Sequence, residues 1–154
     1  MSWTERLLQL GSGRSRLSLH REIAGLCPQL LAAAERLARH ARMAPHQGAE
    51  RHLARLAEED RKLAAELREA LRVFGTVAPD GPAADEEADA LSHWGRLCQD
   101  LNLHLALAGK LIEAANDVEE PRLVTTLRAI AESEERQLAE LRDLIARADP
   151  QALD

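Results

Sequence analysis

Tyrosine is absent from this chain of 154 residues, and it has only one phenylalanine and two tryptophans. That poverty removes the aromatic platform on which unpaired bases stack. Blocks of one charge are also missing. Lysine and arginine interleave with aspartate and glutamate, and the formal charge is −6. No basic footprint for nucleic acid follows from such a pattern. The two cysteines, Cys27 and Cys98, have no CxxC or Cys/His spacing, which excludes the common zinc arrangements. Both fall on apolar stripes and read as buried reduced thiols. No apolar run approaches the length of a membrane span. The opening "MSWTERLLQL" lacks a basic region followed by an apolar one, so no signal peptide is expected. These absences lead to the expectation of a bacterial-type cytoplasmic protein with no nucleic-acid and no membrane partner.

Alanine, leucine, arginine and glutamate dominate instead, and all four favour helix. The length suits one domain with a proper core. A short amphipathic segment at 2–10 and the flexible "GSGRS" at 11–15 precede that domain. Leu19, Ile23, Leu26, Leu30, Ala33 and Leu37 recur in steps of three and four, with His40 in the same register. They predict a first helix over 18–44, kinked at Pro28. A second is expected over 49–74, with Asp60 inside the stripe Leu53, Leu56, Leu63, Leu67. After the Pro/Gly-rich "GTVAPDGPAAD", the acidic turn "DEEAD" predicts the start of a third helix near Ala88. Its stripe is Leu91, Trp94, Cys98, Leu101, Leu105, Ala108, Ile112 and Ala115, which places Trp94 in the core. Pro121 opens a fourth helix that ends before "DPQALD". The fold class is therefore all-α, a four-helix bundle over 17–149 made of two helical hairpins, with 150–154 as a tail.

The two halves look alike. "LAEEDRKLAAELREAL" at 56–71 parallels "IAESEERQLAELRDLI" at 130–145, as a duplicated hairpin would. The central loop leaves topology open. A crossover along the bundle must cover about 35–40 Å, and residues 75–87 could reach about 43–47 Å. A short up-down-up-down connection is equally compatible. The third helix carries a second apolar line, Leu103, Leu107, Leu111, Ala114 and Val118, on nearly the opposite face. A helix apolar on two sides is buried on two sides, which favours a homodimer through it.

One acid interrupts the stripe of the second helix and one that of the fourth: Asp60 and Glu134. Both are near mid-helix, so they share a level in either topology. His104 on the third helix lies near that level, one turn beyond Asp100. Glu35 on the first borders its stripe at mid-height. Asp60, Glu134, His104 and Glu35 are the candidate metal ligands. Elsewhere, His20, His40, His46 and His52 have no HxxxH or HxxE spacing and read as surface or loop residues.

The paired hairpins and the "LAEEDRK" and "AESEERQL" helices resemble ferritin-like proteins of the rubrerythrin kind. That resemblance implies Glu-x-x-His on the second and fourth helices and a further glutamate on the first and third. The matching positions are Glu59/Lys62 or Asp60/Leu63, and Glu134/Gln137; neither pair has its histidine. Glu35 or Glu113 would have to turn inward to complete the set. Two irons need several anionic oxygens and imidazoles, and neither lysine nor glutamine replaces histidine there. The resemblance thus implies a bundle that has lost its di-iron centre and serves as a non-enzymatic stress, scaffold or interaction protein. No cofactor is then expected, with iron or another divalent metal, and metal-dependent oxidase chemistry, as the minor branch. In the alternative reading, "LREALRVFG", "HWGRLCQDLN" and "GKLIEA" at 109–114 resemble flagellar export chaperones. That resemblance implies a helical adaptor or secretion chaperone that binds a partner helix.

Overall fold

The computed structural model describes residues 15–85 and 88–148; the segment at 2–10 and the tail at 150–154 lie outside the described residues. All regular structure described is helical. The helices are α1 (Arg16–Ala24), α2 (Leu26–Arg42), α3 (Gln47–Val73), α4 (His93–Asp117) and α5 (Pro121–Ala148). No described helix is long and apolar enough to cross a membrane.

Local chemistry sets most of the boundaries. α1 and α2 form one kinked helix, broken at Gly25. Pro28 has no N–H to give the carbonyl of Ala24, so the ladder opens where the sequence predicted a kink. The Ser15 hydroxyl accepts from Ser18 N at 3.1 Å, and His46 Nδ1 accepts from Ala49 N at 3.2 Å, capping α1 and α3. α3 stops at Gly75, whose φ of +80° lets Thr76 N donate back to Leu71 O at 3.1 Å.

The start of α4 departs from expectation. "DEEAD" does not open the helix. Ser92 does, its hydroxyl accepting from Gly95 N at 2.9 Å. Asp85 and Asp89 are drawn to α2 instead, where Arg36, Arg39 and His40 face them. Ion pairing with three side chains of α2 outweighs a gain from the helix dipole, which is typically about 0.3–1 kcal/mol.

Core composition fixes the topology. One apolar cluster joins Leu26 and Leu30 of α2, Leu67 and Leu71 of α3, Leu107 and Leu111 of α4, and Leu123 and Leu127 of α5. The other joins Leu37, Leu53, Leu56, Leu97, Leu141 and Leu144. The start of α2 thus sits with the end of α3, the end of α4 and the start of α5. α3 ends at one end of the bundle and α4 begins at the other, so the connection between them spans its length. Arg68 of α3 donates to Pro79 O at 2.9 Å, and from Ala83 on the described residues lie along α2. Ala83 N donates to Pro28 O at 2.8 Å, Asp85 meets Arg36, Asp89 meets His40, and Arg96 donates to Met43 O at 3.1 Å. α2 packs on α3 and α4, and α5 packs on α4 and α3, every neighbouring pair antiparallel.

The face of α4 differs in part from the expected one. Ala108 and Ala115 of the expected stripe are buried, but Leu107, Leu111, Ala114 and Val118 of the second line join them in the core, whereas Leu91, Trp94, Leu105 and Ile112 are exposed, Trp94 at 42%. Two apolar lines leave the choice open in sequence. The buried polar residues Asp100 and His104 continue the Leu107–Leu111 line, and their partners inside the bundle select it.

Candidate functional site

Between the two apolar clusters lies a buried polar layer. Asp60 comes from α3 between Leu56 and Leu63, His104 from α4, and Glu134 and Gln137 from α5 between Ala131 and Leu141. All four side chains have zero exposure. On α2, Ala33 and Ala34 are fully buried. Asp60, His104 and Glu134 each bring a ligand atom within 4.8 Å of the others. The structure therefore assembles three of the four side chains singled out in the sequence. Glu35 is the exception: it is exposed on α2, because Ala34 and Leu37 take the inward positions around it.

The hydrogen bonds give the layer a direction. His104 Nδ1 donates to the backbone carbonyl of Asp100 at 2.8 Å, which turns Nε2 toward the acids. Nε2 stands 2.9 Å from Asp60 Oδ2 and 3.9 Å from Glu134 Oε2. Gln137 Nε2 donates to Asp60 Oδ1 at 2.7 Å. Neither oxygen of Glu134 meets a hydrogen-bond donor among the described residues, and neither does Gln137 Oε1.

Electrostatics follow from that enclosure. Burial first, and the Asp60 charge second, push the Glu134 carboxyl up to about 9. Burial alone would depress His104, but the hydrogen bond and charge of Asp60, with Glu134 behind, raise it to about 9.

The layer reaches the surface through residues whose role the sequence did not reveal. Asp100 is fully buried, and burial raises its carboxyl. His40, also fully buried, bridges Asp100 Oδ2 at 2.7 Å through Nδ1 and Asp89 Oδ1 at 2.8 Å through Nε2. His40 and His20, which read as surface residues, are thus interior, each tied to a carboxylate; His20 meets Glu120 at 3.1 Å. Two signals were present. His40 sat in the stripe register of its helix. Asp100 and His104 are four apart, in line with Leu97, Leu107 and Leu111. His46 is exposed and caps α3, and His52 is half-buried against Glu140 at 2.8 Å.

Two adjacent irons do not fit this layer. It supplies two carboxylates and one imidazole, Asp100 is engaged by His40, and Gln137 binds Asp60 instead of offering a ring nitrogen. No protein-family model matches the chain, and no curated protein matches it.

Proposed function

We propose that the chain is a ferritin-like helical bundle that has given up its two-iron centre and acts without catalysing a reaction, as a stress, scaffold or interaction protein. The observation that carries this reading is the bond from Gln137 Nε2 to Asp60 Oδ1 at 2.7 Å. At the position where the resemblance puts an iron-binding histidine stands an amide, which donates to one oxygen of the facing carboxylate and offers no ring nitrogen. Topology supports the kinship: a single long crossover between two antiparallel hairpins is the ferritin-like connection. The test is anaerobic ferrous loading followed by oxygen. The expected result is less than two irons per chain and no ferrous oxidation above buffer. Two irons per chain with catalytic turnover would overturn the reading.

The exposed line Trp94, Leu105 and Ile112 favours the interaction role. Its members are 42%, 42% and 43% exposed on one side of α4. A homodimer through α4 would cover them, and a helical adaptor or secretion chaperone would offer them to a partner helix. Light scattering of the wild type and of Leu105→Glu separates these. A dimer that the variant dissociates supports the first, and a co-purifying polypeptide that the variant releases supports the second. A monomer with no companion removes the interaction role.

A further inference from the structure

We infer that Asp60, His104 and Glu134 bind one divalent cation of the zinc, manganese and ferrous class, which ties α3, α4 and α5 together at mid-bundle. The inference goes beyond the loss of a two-iron centre, since it concerns a single ion held for structure.

The geometry supplies three donors from three helices. In a tetrahedral site with bonds of about 2.0–2.1 Å, ligand atoms are about 3.3 Å apart. The Nε2–Oδ2 and Nε2–Oε2 separations of 2.9 and 3.9 Å lie on either side of that figure. Small rotamer adjustments would bring both to it.

The surroundings have the form of a ligand shell. A metal-binding imidazole usually donates its other ring N–H to a carbonyl or carboxylate, which fixes ring and tautomer. His104 Nδ1 does this to Asp100 O. A ligating carboxylate is usually held by a hydrogen bond on its second oxygen. Gln137 does this to Asp60 Oδ1, leaving Oδ2 toward the centre.

The hydrogen-bond inventory points the same way. Glu134 Oε1 and Oε2 and Gln137 Oε1 are buried acceptors with no donor among the described residues. Buried polar atoms without a partner are rare and costly. A cation would satisfy these acceptors, taking the place of the proton on the Glu134 carboxyl. Gln137 Oε1 is the chain's own candidate for a further, neutral donor.

Ligand chemistry sets the ion class. Two carboxylates with one imidazole suit Zn²⁺, Mn²⁺ and Fe²⁺; calcium and magnesium favour all-oxygen shells, and cuprous ion favours sulfur. Cys27 lies in one of the flanking apolar clusters, and no cysteine joins the three-residue group. With every donor at zero exposure, the site is closed, as structural metal sites are. Binding is then coupled to folding.

The full-length chain, stripped with chelator and desalted, is titrated separately with zinc chloride and manganous chloride. Metal per chain and thermal midpoint are read for wild type, Glu134→Gln, and the surface control His46→Gln/His52→Gln. Glu134→Gln keeps volume and removes one anionic donor. The expected result is one ion per chain and a midpoint raised by about 5–10 °C at a hundredfold excess over Kd. Glu134→Gln should lose at least 100-fold in affinity, and the surface control should keep the ion. No bound ion and no midpoint shift would overturn the inference and leave the loss of the two-iron centre standing. One ion held equally by Glu134→Gln would overturn it as surface binding. Two ions per chain, both lost in Glu134→Gln, would overturn it together with that loss.

Discussion

His104 Nε2 and Asp60 Oδ2 are 2.9 Å apart, on different helices, and neither side chain is exposed to solvent. Such a pair is held by its geometry and not by being strong. Replacing one partner leaves the other uncompensated in the interior, at a cost of about 3–5 kcal/mol. Replacing the whole layer with apolar groups removes both the attraction and the desolvation. Asp60→Ala should therefore destabilise the chelator-treated protein by about that amount in urea unfolding. The combination Asp60→Leu, His104→Leu, Glu134→Leu and Gln137→Leu should cost less than the single change. A larger loss in the combination would mean that the layer stabilises the bundle outright.

The same layer gives the metal-free protein a pH dependence. Glu134 rises from 4.5 to about 9 on folding, and His104 from 6.5 to about 9. In both cases the folded state holds the proton more tightly than the unfolded chain. Their contribution is complete below the unfolded values and is lost as pH rises through about 9. The thermal midpoint should fall between pH 6.5 and 9, by several degrees. Glu134→Gln should flatten that slope, because a neutral amide has no proton to lose. A midpoint that rises over this interval would refute the assignment.

How much of this could be read in the sequence depended on whether a single helix decided the matter. α3 and α5 each have one apolar stripe, so Asp60 and Glu134 could be placed in the core from periodicity alone. Pro28 and Pro121 acted on their own helices and did so as predicted. α4 has two apolar lines, and only the facing helices choose between them; Trp94 accordingly lies outside. Glu35 failed for a similar reason, since a residue bordering a stripe turns in or out according to its neighbours, and alanines left no call for it. The start of α4 was missed because "DEEAD" is a good helix opening in isolation. Its partners, Arg36, Arg39 and His40, are about fifty residues earlier. The topology was undecidable from loop length and needed the pairing of α2 with Ala83, Asp85 and Asp89.

That pairing makes a clasp that can be opened. Arg36 is buried and meets Asp85; Arg39 donates to Asp85 at 2.7 Å; His40 meets Asp89 at 2.8 Å. Burial works against the Asp89 charge, but hydrogen bonds from His40 and Arg39 hold its carboxyl below the usual range. Asp85→Asn/Asp89→Asn removes the charges and keeps the shapes. Amide exchange over 79–92 should accelerate at least tenfold, with exchange in α3 and α5 little changed. Uniform acceleration throughout the bundle would mean that the crossover and the helices open as one unit.

The two thiols are set apart by the core. Cys27 is fully buried in the cluster with Leu26 and Leu30, and burial pushes it up to about 11. Cys98 is half-buried on the outer side of α4. The thiolate is the reactive form, and at pH 8 a thiol at 11 is about one part in a thousand ionised. Alkylation under native conditions, followed by mass spectrometry, should modify Cys98 first. Cys27 should be protected until the bundle opens, so its rate should follow urea concentration while that of Cys98 does not. If Cys27 reacts as fast as Cys98 in buffer, the first cluster is more open than its packing implies, and α1 with the start of α2 separates from the bundle on the timescale of the reaction.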